Sequence, residues 1–307
     1  MTQQQYAVVV GGVNVDIGGR SFQPLVEADS NPGTVSISLG GVGRNIAHNM
    51  ALMGVKVKLL SALGEDLNGN RVKTSCKELG IDAEHILRVS DCATSTYLYV
   101  ADHEGEMAIA ISDMAICQRI TPQYLAQHLP LLQQARVIVA DTNIPAETLA
   151  WLAENCDAPL FCDPVSTVKA EKLRPILSKI HTLKPNRLEA ELLSGIPIRC
   201  KADASAAAKA LLDRGVGRVF ISMGADGVFA ADRQQELWLE NLPGNMVNTT
   251  GCGDAYMAAL VWSFMQDFDL KQSALAGLAA GSVAMESAET INPAMRAEAL
   301  RQRMARA

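Results

Sequence analysis

A chain of 307 residues, 49% of them hydrophobic, can build one large domain or a large domain with a small companion. Its 27 Lys and Arg against 33 Asp and Glu leave a net charge of −6, which argues against the basic footprint of a nucleic-acid or membrane-surface binder. No apolar run approaches the roughly 18 residues that span a bilayer. The polar start Met1–Tyr6 has no signal-peptide pattern. Seven scattered cysteines with no C-x-x-C argue against a disulfide framework or zinc site, so reduced thiols and a cytoplasmic location are expected.

In chain order, Tyr6–Gly11 reads as a buried strand that continues through Gly12-Val13-Asn14-Val15-Asp16. Asn14 and Asp16 fall two apart and so share one face of an extended chain. An amide and a carboxylate there suit sugar hydroxyls, or the Asx hydrogen bonds of a turn. Thr34–Leu39 alternates as a half-exposed strand, and Gly40-Gly41-Val42-Gly43-Arg44-Asn45 then opens a helix that Gly54 ends. Gly41 and Gly43 give G-x-G, but the sixth position is Ile46, so this is no dinucleotide fingerprint. Lys56–Ala62 is a strand, and a helix runs to Leu79 before Gly80. Thr94–Ala101 and Glu106–Ser112 read as a hairpin around Asp102-His103-Glu104-Gly105, with His103 solvated at the tip. Together with residues 13–39 this hairpin lies outside the βα alternation and reads as a small lid.

From residue 121 the pattern becomes regular. A helix starts at Thr121-Pro122, and Pro130 kinks or ends it. Strands are expected at 136–140, 159–162, 181–183, 218–222 and 228–231. Helices are expected at 145–155, near 171–180, and at 187–193, 203–214, about 254–266, 271–288 and 293–305. Such repeated units predict a parallel sheet covered by helices on both faces. Ligands bind at the C-terminal ends of its strands, where Asn14, Asp16, Asn143, Asp163, Asn186 and Gly224 fall.

The stretch Asn248-Thr249-Thr250-Gly251-Cys252-Gly253-Asp254 precedes the apolar run Met257–Trp262. It reads as a glycine turn opening a buried helix, whose free N–H groups and dipole favour an anion. Asp254 beside an anion site suits a base that takes a proton from an attacking hydroxyl. The plainer alternative is a turn whose Asp only caps a helix.

Four motifs taken together resemble the ribokinase-like (PfkB) carbohydrate kinase family along essentially the whole chain. They are Gly40–Asn45, Asn186-Arg187-Leu188-Glu189, Ser222-Met223-Gly224-Ala225-Asp226-Gly227 and Thr249–Asp254. The resemblance implies a three-layer α/β/α fold with a mainly parallel central sheet and a small β lid. Residues 1–12, 41–93 and 113–307 would form the nucleotide-binding domain, and 13–40 and 94–112 the lid.

The resemblance also implies ATP-dependent phosphorylation. Asp254 would be the base, with the N–H groups of Gly251, Cys252 and Gly253 as the anion hole. Asn14, Asp16, Gly41, Gly43, Asn45 and Asn143 would hold the sugar, with Ser30, Asn31 and Thr96 of the lid reading a base. Asn186, Ser222, Gly224 and Gly227 would bind the nucleotide. Glu189 would hold Mg²⁺ through water, with Glu191 as the rival carboxylate. Asn248 and Thr250, with residues near 285–290, would form a monovalent-cation loop for K⁺. Asn248 departs from the Asp often found there: a carboxamide brings an oxygen but no charge. Segments 28–33, 40–47, 137–141 and 181–191 carry a narrower likeness, to kinases acting on a nucleoside 5′-hydroxyl. The expected partners are a nucleoside and ATP, with no nucleic acid and no membrane. A homodimer through the exposed lid strands is also expected. A catalytically silent binding protein is the alternative from another class.

Overall fold

The central strands are apolar on both faces, as strands covered on both sides must be. A computed structural model describes residues 5–306, so positions 1–4 and 307 of the expected large domain lie outside the described residues. The strands are β1 Ala7–Val10, β2 Asn14–Ser21, β3 Gly33–Gly40, β4 Val57–Leu60, β5 Ala62–Gly64, β6 Leu87–Val89 and β7 Thr96–Ala101. They continue with β8 Met107–Asp113, β9 Val137–Asp141, β10 Leu160–Asp163, β11 Ile180–Leu183, β12 Arg218–Ser222, β13 Val228–Asp232 and β14 Glu236–Leu239. The large sheet has the order β14-β13-β12-β11-β10-β9-β1-β4. It is parallel from β4 to β12 and antiparallel from β12 to β14.

Alternation along β1 shows the three layers. Ala7 and Val9 join a core with the helices Val42–Leu52, Cys252–Met265 and Leu270–Ala284. Val8 and Val10 face the opposite core, built on the helices Ala146–Asn155, Arg187–Ser194 and Lys201–Asp213. Residues Ala255–Ser263 are all buried, so the helix that begins at Cys252 is enclosed all round and its N-terminus is fixed in place.

A second sheet, of order β3-β2-β7-β8, stands apart from the first. Here the structure corrects the single strand read from Tyr6 to Asp16. The chain leaves β1 at Gly11-Gly12-Val13 and re-enters in this second sheet at Asn14, paired with Gly40. Other expectations shift as well. The strand read as Lys56–Ala62 divides at Ser61 into β4 and β5. The helix expected near 171–180 is a short helix Thr167–Ala170 and then a 3-10 stretch Glu171–Lys179, because Pro175 cannot donate an α-helical hydrogen bond. The helix beginning at Leu270 ends at Ala284, not 288. β14 was missed because Glu236-Leu237-Trp238-Leu239 is too short to show a period. Among the described residues no helix is long and apolar enough to cross a membrane.

Candidate active site

The parallel strands deliver charged residues to one end of the sheet. Asp141 and Asp163, last in β9 and β10, are register partners and are 1% and 5% exposed. Lys184 follows β11 and is also buried. The Asp141 carboxylate accepts the N–H of Gly12 and that of Asn143, each at 2.8 Å. It thereby ties the β1–β2 link to the loop carrying Asn143. Burial, with Asp163 adjacent, pushes its pKa up to about 6. Asp163 faces Lys184 Nζ at 3.2 Å and accepts the N–H of Val165 at 2.9 Å. Burial alone would discharge Lys184, but Asp163, Glu189 and Asp254 outweigh it and raise its pKa, so the ammonium stays charged.

That ammonium lies against the start of the helix Cys252–Met265. A Cβ added to Gly253 would meet Lys184 Nζ at 3.4 Å. Gly251 caps this helix at φ 83°, a left-handed conformation, and a side chain there would strike the Thr290 carbonyl. The N–H of Cys252 reaches the Thr249 carbonyl at 3.3 Å. Among the described residues the N–H groups of Gly251, Gly253 and Asp254 have no hydrogen-bond acceptor. The expected three-donor hole is therefore offered freely by the two glycines, and by Cys252 only if it gives up a long turn bond.

Asp254 accepts Asn45 Nδ2 at 2.9 Å. Asn45 belongs to the helix Val42–Leu52 and thus to the glycine motif at the other end of the sequence. Burial raises the Asp254 pKa to about 7, with Asp163 adding to the rise and Asn45 and Lys184 opposing it. Asn45 Oδ1 is buried with no partner among the described residues, an acceptor left over beside the proton acceptor.

Next to the start of the helix Cys252–Met265, a cavity of about 560 Å³ is lined by Lys184, Ser222, Gly224, Gly227, Gly253 and Tyr256, among others. That volume suits a drug-sized ligand. The Asn186–Glu189 motif is a capping box. Asn186 Oδ1 accepts the Glu189 N–H at 2.9 Å, and Glu189 Oε2 accepts the Asn186 N–H at 2.8 Å. Glu189 is 3% exposed rather than solvated. Its second oxygen has no hydrogen-bond donor among the described residues, which fits a water-mediated contact to Mg²⁺. Glu191 is used elsewhere, accepting the Ile198 N–H at 2.9 Å. Among the described residues no three His, Cys, Asp or Glu side chains converge on one metal-sized point.

On the other side of Asp254, Asn14 Nδ2 donates to Asp16 Oδ1 at 2.6 Å, so the two do share one face. Gly41, at φ 97°, lies over the β1–β2 link, and a Cβ would meet the Gly12 carbonyl at 2.6 Å. Gly43 instead packs on Gly11, where a Cβ would come within 2.9 Å of its backbone, and serves helix packing. Asn143 Oδ1 accepts from Lys169 Nζ at 2.6 Å. Ser30 and Asn31 lie in the exposed loop between β2 and β3, and the Asn31 amide closes that loop on Val26 at 2.8 and 2.9 Å. Thr96 pairs with Val15 in register and so lies on the face opposite Asp16, whereas Tyr97 pairs with Asp16. The structure also brings Lys184, Asp141, Lys169 and Tyr97, to which the sequence alone does not point, beside the expected site residues. The available signal was a charge closing each apolar strand, seen for Asp163 but not followed to Lys184.

A buried carboxyl with its pKa pushed up to about 7, held between the Gly40–Asn45 motif and a helix start with free N–H groups, can take up a proton beside an anion. The chain belongs to the pfkB family of carbohydrate kinases, whose model matches residues 4–297. It is therefore an ATP-dependent kinase of the sugar and nucleoside class. It is 43% identical over 295 residues to pseudouridine kinase of Escherichia coli K12, covering 95% of this chain and 94% of that one. An uncharacterized sugar kinase of the same organism is 37% identical over 300 residues, 97% of this chain and 83% of the other. The fold matches that of ribokinase from Thermotoga maritima with a TM-score of 0.87 at 20% identity, over 99% of this chain and 100% of that one.

Proposed function

We propose that the protein transfers the γ-phosphoryl group of ATP to the 5′-hydroxyl of pseudouridine, giving pseudouridine 5′-phosphate. The observation that carries the transfer is the Asn45–Asp254 contact at 2.9 Å, which joins the sugar-side motif to the base beside the anion site. The choice of pseudouridine is supported by the 43% identity to the E. coli enzyme and by the narrower likeness in four segments of the chain.

In this reading Asn14, Asp16, Gly41, Asn45 and Asn143 hold the ribose, and Gly43 lets their helix pack closely. Ser30 and Asn31 read the base, whereas Thr96, expected to join them, lies on the opposite face with Val15 and Ile17 and takes no part. Asp254 takes the hydroxyl proton as the oxygen attacks phosphorus. The N–H groups of Gly251, Cys252 and Gly253 meet charge on the moving group, a contribution of about 3–4 kcal/mol per donor in other enzymes. Lys184 stands beside them as a fixed cation. Asn186, Ser222, Gly224 and Gly227 bind the nucleotide. Glu189 would hold Mg²⁺ through water, and the ion, when bound, neutralises phosphate charge.

The second sheet closes over the sugar and excludes water. Its other face aligns Ile37, Ile17, Leu98 and Ile111 in one register row and Val35, Gly19, Val100 and Ile109 in the next. Val35, Ile37, Ile109 and Ile111 are more than half exposed. A second copy of the chain covers this apolar face in a homodimer. A cytoplasmic location is supported by the seven scattered cysteines, which show no C-x-x-C.

Phosphorus NMR of a reaction with ATP, Mg²⁺ and pseudouridine tests the proposal. A single new monoester coupled to the 5′-methylene protons supports it, and phosphate on another oxygen or no transfer refutes it.

A further inference from the structure

We propose that this kinase needs no monovalent cation, because the carboxamide of Asn248 makes the connection an ion would otherwise make. An alkali ion is held by oxygen lone pairs, so the side-chain group that faces it must be an oxygen and not an N–H donor. Asn248 Oδ1 accepts the Thr250 N–H at 3.0 Å, and Asn248 Nδ2 donates to the Ala288 carbonyl at 3.2 Å. The orientation of the amide is not arbitrary. A backbone N–H can only donate and a carbonyl can only accept, so exchanging the amide atoms would break both bonds. A hydrogen-bond donor, not an acceptor, therefore faces the 285–290 segment. Its protons carry partial positive charge, and Asn248 adds no negative charge to balance a cation.

The same two segments are joined along the backbone. The N–H groups of Val247 and Asn248 both reach the Met285 carbonyl, at 2.8 and 3.1 Å. Three residues after Asn248, Gly251 packs directly on the Thr290 carbonyl. The turn carrying the N–H groups of Gly251 and Gly253 is thus tied to the 285–290 segment by these hydrogen bonds and by the packing of Gly251 on Thr290. A carboxylate at position 248 has no proton for the Ala288 carbonyl. Two oxygens would then face each other, and a cation between them would relieve the repulsion. The kinetic arm of the test below rests on the phosphotransfer reading, and the thermal arm does not.

Melting temperature and ATP-dependent turnover are measured in about 0.1 M KCl and in choline chloride at the same ionic strength, so that screening is matched. The wild-type protein should melt at the same temperature in both salts, with turnover agreeing within about twofold, a difference of only some 0.4 kcal/mol. Asn248→Asp should lose about tenfold or more in choline chloride, recover in KCl, and gain thermal stability from K⁺. Wild-type turnover or stability that collapses in choline chloride overturns the proposal. So does a folded Asn248→Asp that performs like wild type without K⁺. Should that variant not fold, the wild-type comparison decides alone. If no salt supports turnover, the functional reading has failed, and the wild-type melting comparison still decides this proposal.

Discussion

Replacing Asp254 by Asn should abolish turnover and stabilise the fold. In the native protein the Asp254 carboxyl titrates near 7, against an ordinary value of 3.8. The gap is about three pK units, and each is worth about 1.4 kcal/mol. Because the folded-state pKa is the raised one, the native state binds more protons than the unfolded chain between about pH 4 and pH 7. Stability therefore falls as pH rises through that window, and the full penalty applies above about pH 7. The ceiling is about 4 kcal/mol, reduced by whatever relaxation the charged site achieves. The carboxamide that replaces the carboxylate would keep an oxygen for the Asn45 amide and carry no charge near Asp163. At pH 8 the variant should melt a few degrees higher, since 1 kcal/mol moves a protein of this size by roughly 1.5 °C. Its advantage should shrink as pH falls toward 5. Turnover should drop by about a thousandfold or more, within the range a general base contributes, while ATP still raises the melting temperature. Differential scanning calorimetry across pH, paired with a coupled ADP assay, reads both effects. Equal melting temperatures at pH 8, or an advantage that grows as pH falls, would refute the charge-burial argument, and near-normal turnover would refute the base.

Lys184→Met should cut kcat by about a hundredfold or more through loss of a fixed cation beside the anion hole, and should strand the buried Asp163 at a cost of about 3–5 kcal/mol. Because Lys184 opposes the upward shift of Asp254, the acid limb of the kcat/KM profile, near 7 in the wild type, should move to higher pH. An unmoved limb in a folded variant contradicts that coupling. Glu189→Gln preserves the capping box, which Gln also completes. The variant should keep its melting temperature but need about tenfold more Mg²⁺ for half-maximal rate, the 10- to 100-fold range typical of disturbed metal sites; an unchanged Mg²⁺ requirement removes Glu189 from metal binding. Ile37→Glu with Ile111→Glu places charges in one register row of the apolar face. Sedimentation should then report a monomer where the wild type is a dimer, and a wild-type monomer would refute the interface.

The alternation of apolar strands and helices made the three-layer class readable, because a parallel sheet buried on both faces needs strands such as Ala7–Val10 and Val137–Asp141. The glycine motifs pointed to backbone geometry that only a special residue tolerates, and Gly41 and Gly251 do take positive φ. What stayed hidden depends on partners distant in sequence. Lys184 reads as an ordinary surface lysine until β10 and β11 place it beside Asp163. The break at Gly11–Val13 is invisible to hydrophobic pattern, since the residues on both sides are buried whichever sheet they join. The Asn186–Glu189 cap could have been read, because an Asn three residues before a Glu at a helix start is a capping-box pattern.

Substrate preference is tested most directly by comparing kcat/KM for pseudouridine, uridine, adenosine, inosine and ribose, each with saturating ATP and Mg²⁺. Pseudouridine should be the preferred substrate, and its turnover should disappear with Asp254→Asn. A higher kcat/KM for any of the other four, or turnover of pseudouridine that survives that substitution, would contradict the proposed function.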